Sequence, residues 1–266
     1  MRLKELGSTG IKLPEIALGT WRYRAGPDPL KYGIELGAKF IDTAEIYRTE
    51  NIVGEALAGI RDRVFLATKV SGDHLRYDDV LAAADKSLKL LKTERIDLYQ
   101  IHWPNPDIPI RETMRALEEL VDSGKVRYIG VSNFDVGEME DAQSLMKKHR
   151  IVANQVIYNL MERGIEREVI PYCERNHITI LAYSPLAQGE LLGNSIHRSG
   201  TEALRKVAQE SGKTIAQVAL NWCLLNPNVI GIVKASNKDH VKDDCETSDW
   251  RLSPEHIDAL NKAFKP

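Results

Sequence analysis

The stretch IALGTWRYRAGPDP, residues 16–29, is a short apolar run that passes through Gly19 into bulky and charged side chains. A chain that alternates strands with helices can close into a barrel or spread as an open, doubly wound sheet. The open form that binds dinucleotides carries GxGxxG directly after its first strand, where the glycines let the backbone approach a pyrophosphate. Thr20, Trp21 and Arg22 stand where that turn would be, so the barrel is favoured. Seven further β-rich runs follow: KFIDT (39–43), VFLATKV (64–70), IDLYQIH (96–102), VRYIGVS (126–132), ANQVIYN (153–159), ITILAYS (178–184) and VIGIVKA (229–235). Segments with helical spacing lie between them, among them 76–91, 110–124 and 137–149, which is the rhythm of βαβ units. Eight units predict an α/β chain folded as one closed (β/α)8 TIM barrel over residues 1–266. RLKELGSTGIKLPEIAL (2–18) is expected as an N-terminal β-hairpin turning at GSTG, and SPEHIDALNKAF (253–264) as a C-terminal helical tail.

The 36 Lys and Arg against 38 Asp and Glu leave a net charge of −2, which gives no broad attraction for nucleic acid or an anionic membrane. A small-molecule ligand is the better expectation. The opening MRLKELGSTG lacks a secretory core and no segment approaches about 20 apolar residues, so a cytoplasmic protein is expected. Cys173, Cys223 and Cys245 are odd in number and form no CxxC, and read as reduced thiols. The strand ends lack HxH and carboxylate ligands, so no metal is predicted. Nothing here sets the oligomeric state, and a monomer satisfies the sequence.

In such a barrel the chemistry lies at the C-terminal ends of the strands. Asp42, Lys69, His102, Ser132, Asn133, Tyr183, Ser184 and Lys234 stand there, with Gln155 inside the sixth strand and Tyr47 just beyond the second. Each has an ordinary reading taken singly: Asp42 as a helix cap, Lys69 as a snorkelling cation, His102 as a structural imidazole, Tyr47 as packing. Together they describe a proton donor. A free phenol titrates near about 10, and a neighbouring ammonium lowers it by favouring the phenolate. Lys69 is expected to supply that charge for Tyr47, Asp42 to hold Lys69 protonated, and His102 to orient or polarise a carbonyl oxygen. No side chain supplies a reductant.

FIDTAEIY, LATKV, DLYQIHWP, GKVRYIGVSNF, NQVIYN, LAYSPLAQGEL, VIGIVKAS and WRLSPEHIDAL occur in one order along nearly the whole chain, and the chain thereby resembles the aldo-keto reductase family. The resemblance implies a barrel enzyme reducing small aldehydes or ketones to alcohols with NADP, preferring NADPH over NADH, and having Asp42, Tyr47, Lys69 and His102 as its catalytic tetrad with Tyr47 as the general acid. It implies that Ser132, Asn133 and Gln155 hold the nicotinamide carboxamide under the Tyr183 ring. Ser184, Pro185, Leu186 and Gln188 would then wrap the pyrophosphate, Gly19, Thr20 and Asp42 approach the ribose-nicotinamide end, and Trp21 and Trp103 wall the substrate pocket beside Tyr47 and His102. Where many members carry Ser-x-x-x-x-Arg-x-x-Glu-Asn, this chain has Ala235, His240, Asp243 and Asp244. Lys234, Ser236, Asn237 and His240 are left to meet the 2′-phosphate. Short loops imply an open pocket. Two other classes compete: a dinucleotide-binding regulatory or structural barrel with little turnover, and a metal-dependent barrel hydrolase.

Overall fold

Strand alternation explains the architecture of the computed structural model, which describes residues 1–193 and 198–265. Eight strands form a closed parallel barrel: β3 (Ile16–Gly19), β4 (Phe40–Asp42), β5 (Phe65–Val70), β6 (Ile96–Ile101), β7 (Val126–Ser132), β8 (Ile151–Ile157), β9 (Thr179–Tyr183) and β10 (Val229–Val233), with β10 closing on β3. Side chains two apart share a face. Ala17, Phe40, Phe65, Ala67, Leu98, Ala153, Leu181, Ile230 and Ile232 therefore point inward as one cluster, while Leu18, Ile41, Leu66, Tyr99, Ile129 and Ile180 point outward to the helices. Continuing the inward set toward the strand ends selects Asp42, Lys69, Gln100, His102, Ser132, Gln155 and Tyr183. The registers Lys69↔Gln100 and Ser132↔Gln155 bring neighbouring members level.

The predicted hairpin is present as β1 (Leu3–Glu5) paired antiparallel with β2 (Lys12–Pro14), and it plugs the other end of the barrel with Leu6 and Leu13. Gly7, at φ 54° in the turn, has no room for a side chain, because a Cβ would lie 2.7 Å from the His177 carbonyl oxygen. Glu15 follows the hairpin and is fully buried, pairing with Arg251 and accepting a hydrogen bond from Ser248 Oγ at 2.8 Å, so it ties the hairpin to the tail. Removing one partner of such a buried pair strands the other charge. Glu15→Gln is expected to cost about 3 kcal/mol of stability, read as a lower urea midpoint at unchanged slope.

Ten α-helices occur among the described residues, ending with α10 (Pro254–Ala263), the predicted tail helix capped by Ser253. α3 (Tyr77–Leu91) and α4 (Ile110–Asp122) match their predicted ranges, with Gly124 left-handed at φ 77° after α4. α5 (Val136–Ser144) is shorter than the expected 137–149. Glu118 of α4 accepts the backbone N–H groups of Lys147, Lys148 and His149 at 2.9, 2.8 and 3.3 Å, which pulls that segment out of the helix. The crossover from β9 to β10 departs from a simple unit, carrying both α7 (Arg198–Ser211) and α8 (Ile215–Cys223), the latter opened by a Thr214–Gln217 capping box. α1 (Asp28–Glu35), α2 (Glu50–Ala56), α6 (Val169–Arg175) and α9 (Lys238–Glu246) complete the set. No helix among the described residues is long and apolar enough to cross a membrane.

Candidate active site

Asp42 ends β4, and the chain then turns through a single 3-10 turn, Glu45–Tyr47, before α2 begins. That turn is pinned from below. The Glu45 carboxylate accepts a hydrogen bond from the Ser71 N–H at 3.1 Å and lies 2.9 Å from His74 Nδ1, both just beyond β5. Buried hydroxyls add a second tie: Thr49 Oγ1 is 2.9 Å from Thr20 Oγ1 and 3.0 Å from Thr43 Oγ1, joining the ends of β3 and β4 to the start of α2. Tyr47 is thereby carried over the barrel mouth.

Beneath it, Lys69 is fully buried and donates to Asp42 Oδ2 at 2.6 Å and to the Thr43 carbonyl at 2.8 Å. Its ammonium lies 4.9 Å from the Tyr47 ring centroid. Burial by itself would pull the Lys69 pKa down, but the charges of Asp42 and Tyr47 beside it reverse the effect and hold the pKa above its ordinary value. The Tyr47 hydroxyl is 3.4 Å from His102 Nε2, with the two rings edge to face at 5.3 Å. His102 is pushed down to about 3, by burial first and then by the Lys69 charge, so the imidazole is neutral at ordinary pH. Its Nδ1 is buried and has no hydrogen-bond partner among the described residues.

The expected lowering of the Tyr47 pKa is corrected by this geometry. Lys69 acts in the expected direction, yet burial of the phenol outweighs it and Asp42 adds to the rise, so the net shift is upward. A phenol that keeps its proton remains an acid. The pull of the ammonium makes the proton easier to release than burial alone would allow.

The remaining oxygen of Asp42 engages two amides. Gln155 Nε2 donates to Oδ1 at 2.8 Å and Gln100 Nε2 lies at 3.4 Å. Gln155, expected at the carboxamide end, lines the cavity and also commits its nitrogen to the charged pair. Asn133, left-handed at φ 63°, donates to the His102 carbonyl and to Ser132 Oγ, both at 3.0 Å, and accepts from the Tyr183 hydroxyl at 3.0 Å. Ser132 Oγ donates to the Gln155 carbonyl at 2.8 Å.

These groups open on a cavity of about 870 Å³ that runs across the mouth from β4–β6 to β10 and α9. Every predicted site residue lines it except Lys69, which lies under Asp42 and Tyr47, and Ser236 and Asn237. Asn237 is occupied as the N-cap of α9, its Oδ1 accepting the His240 N–H at 2.8 Å. Trp21 and Trp103 are 39% and 51% exposed at the rim, so they wall the opening and are not core packing. Ser184, Ala187 and Gln188 have φ of 51°, 47° and 55°, a tightly turned loop along one side. Among the described residues no group of three or more His, Cys, Asp or Glu side chains is placed to hold a metal ion.

Sequence reasoning missed Gln100, Glu45, Arg22 and the start of α8. Gln100 was findable, because it stands two before His102 and so shares the inward face of β6. Arg22 lines the cavity with its guanidinium 4.2 Å from the Trp21 ring centroid, and Thr214, Ile215 and Ala216 line it from α8. Arg22 was findable too, three residues past the end of β3, whereas no local signal placed the start of α8, which reaches the mouth only through the β9–β10 crossover.

Residues 15–265 match the sequence model of the Aldo/keto reductase family. The methylglyoxal reductase YeaE of Escherichia coli (strain K12) is 35% identical over 267 residues, covering 97% of this chain and 93% of its own. The glyoxal reductase of Bacillus subtilis (strain 168) is 37% identical over 264 residues, covering 95% and 91%. The crystal structure of the thermostable aldo-keto reductase Tm1743 with the inhibitor epalrestat superposes with a TM-score of 0.92 at 38% identity, covering 99% of this chain and 100% of that one. An aldo/keto reductase from Klebsiella pneumoniae, solved with NADP and acetate, gives 0.91 at 34% identity, covering 100% and 96%.

Proposed function

This chain belongs to the aldo/keto reductase family of oxidoreductases, and on that premise we propose that it reduces small aldehydes or ketones with NADPH, Tyr47 being the general acid. The observation that carries this reading is the Tyr47 hydroxyl at the cavity wall, 3.4 Å from a neutral His102 and above a Lys69 held charged by Asp42. The donor set suits a nicotinamide dinucleotide: Ser132, Asn133 and the Tyr183 ring lie near the tetrad, the loop from Ser184 to Gln188 runs alongside, and Lys234 offers a cation at the end of β10. When bound, such a cofactor supplies the hydride, which no side chain can.

The chain's own groups then handle the proton. Neutral His102 can donate from Nε2 to a carbonyl oxygen and orient it toward Tyr47. As charge gathers on that oxygen, the Tyr47 hydroxyl gives it a proton, and the phenolate left behind is stabilised by Lys69. Asp42, satisfied by Lys69, Gln155 and Gln100, keeps the ammonium in place. The exposed Trp21, Ile46 and Trp103 leave the rim open, which suits small and varied carbonyl compounds. Mixing the protein with NADPH and a reactive aromatic aldehyde should consume the nicotinamide absorbance. Tight cofactor binding without turnover would identify the regulatory or structural alternative instead.

The same reading predicts the cofactor preference. Lys234 is exposed on the cavity and suits a 2′-phosphate, while His240 supplies no permanent charge. NADPH should bind more tightly than NADH, Lys234→Ala should reduce that selectivity by about tenfold or more, and His240→Arg should raise it. Dissociation constants from fluorescence quenching measure all three. Equal affinities in the unaltered protein would remove the phosphate site and leave the hydride chemistry standing.

A further inference from the structure

Asp244 is left without a task by the chemistry above. It lies in the C-terminal half of α9, is 7% exposed, and lines the cavity with Lys234 and His240. His240, Asp243 and Asp244 stand at i, i+3 and i+4, so one face of α9 turns these three side chains to the cavity. Among the described residues no hydrogen bond or ion pair reaches the Asp244 carboxyl.

Burial, and then the charge of Asp243, push this carboxyl up to about 7. Its position near the helix C-terminus disfavours a negative charge further. The other elements packed on α9 bring few opposing charges to it. α8 and its cap face the cavity with the uncharged Thr214, Ile215 and Ala216, and Lys234 follows the end of β10. α1 packs on α9 with Asp28, Lys31 and Glu35 in its sequence, and the 3-10 turn Thr247–Asp249 adds Asp249.

Building on the cofactor reading above, we propose that the proton on Asp244 sets the choice between dinucleotides carrying a 2′-phosphate and those carrying a 2′-hydroxyl. Protonated, Asp244 leaves Lys234 and His240 free to receive a phosphate. Ionised, it repels a phosphate and can accept a hydrogen bond from a ribose hydroxyl, the chemistry by which carboxylates favour the unphosphorylated cofactor elsewhere. With no arginine on this face, one added negative charge is enough to tilt the balance.

The test uses His240→Gln as background, which leaves Asp243 and Asp244 as the acidic side chains of this α9 face, and measures NADPH and NADH dissociation constants by fluorescence quenching from pH 6 to 8. Selectivity for NADPH should fall about tenfold over that range, the worth of one pKa unit of coupling between two charges. Adding Asp244→Asn should abolish that fall, leaving only the rise that ionisation of the 2′-phosphate itself, at about 6, produces. The same pH dependence of the ratio with and without Asp244→Asn overturns the inference while leaving the cofactor reading intact. Failure of NADPH to bind the unaltered protein overturns both. Stability gives an independent readout. A carboxyl whose folded pKa is raised to about 7 weakens the fold as pH rises from the ordinary carboxylate range to that value. Asp244→Asn should therefore raise Tm more at pH 8 than at pH 5, and an equal shift at both overturns the inference.

Discussion

Tyr47→Phe is expected to lower kcat for carbonyl reduction by about 10²- to 10⁴-fold, the range a positioned general acid contributes. The loss should fall equally on kcat and kcat/KM, because the hydroxyl acts when charge develops on the substrate oxygen and adds little to ground-state binding. NADPH affinity should stay close to that of the unaltered protein. The pH profile at saturating cofactor gives a second check. Burial raises the Tyr47 pKa, so the phenol stays protonated and reduction should hold its rate through neutral pH. His102, depressed to about 3, should leave no inflection near pH 6.5. Retention of full kcat in Tyr47→Phe would refute its assignment as the acid.

Lys69→Met is expected to lose nearly as much activity and, unlike Tyr47→Phe, to lose stability as well. The ammonium is fully buried 2.6 Å from Asp42 Oδ2, and its removal leaves a carboxylate supported only by the amides of Gln155 and Gln100. Breaking a buried pair in this way costs about 3–5 kcal/mol. The catalytic loss has its own cause, since the phenolate formed during reduction would meet no cation. Asp42→Asn separates the two effects: the amine stays in place under Tyr47 but loses the carboxylate that holds it charged, so kcat should fall, and by less than in Lys69→Met. Circular dichroism and a denaturant midpoint establish that each variant is folded before its kinetics are read. Normal turnover in both folded variants would remove the charge network from the mechanism.

Much of this was legible in the sequence because it depends on local rules. Strand alternation with period two puts Asp42, Lys69, His102, Ser132, Gln155 and Tyr183 on the inward face, and closure of eight strands brings those faces to one mouth, so three members of the candidate tetrad follow from order and spacing while Tyr47, in the turn beyond β4, was assigned with them through the family resemblance. Capping residues such as Thr214 and Ser253 mark helix starts for the same reason, since each acts within four residues of itself. What needed the tertiary structure is the competition between terms that come from distant parts of the chain. Whether Tyr47 is raised or lowered depends on how much protein surrounds it against the pull of Lys69, and burial wins. Gln155 turned out to serve Asp42, 113 positions away, and α5 ended early because Glu118 captured its backbone N–H groups. Asp244 reads in the sequence as one more helix-surface carboxylate. Only the packing of α1 and α8 against α9 takes it out of water, and desolvation cannot be read from the residues on either side of it.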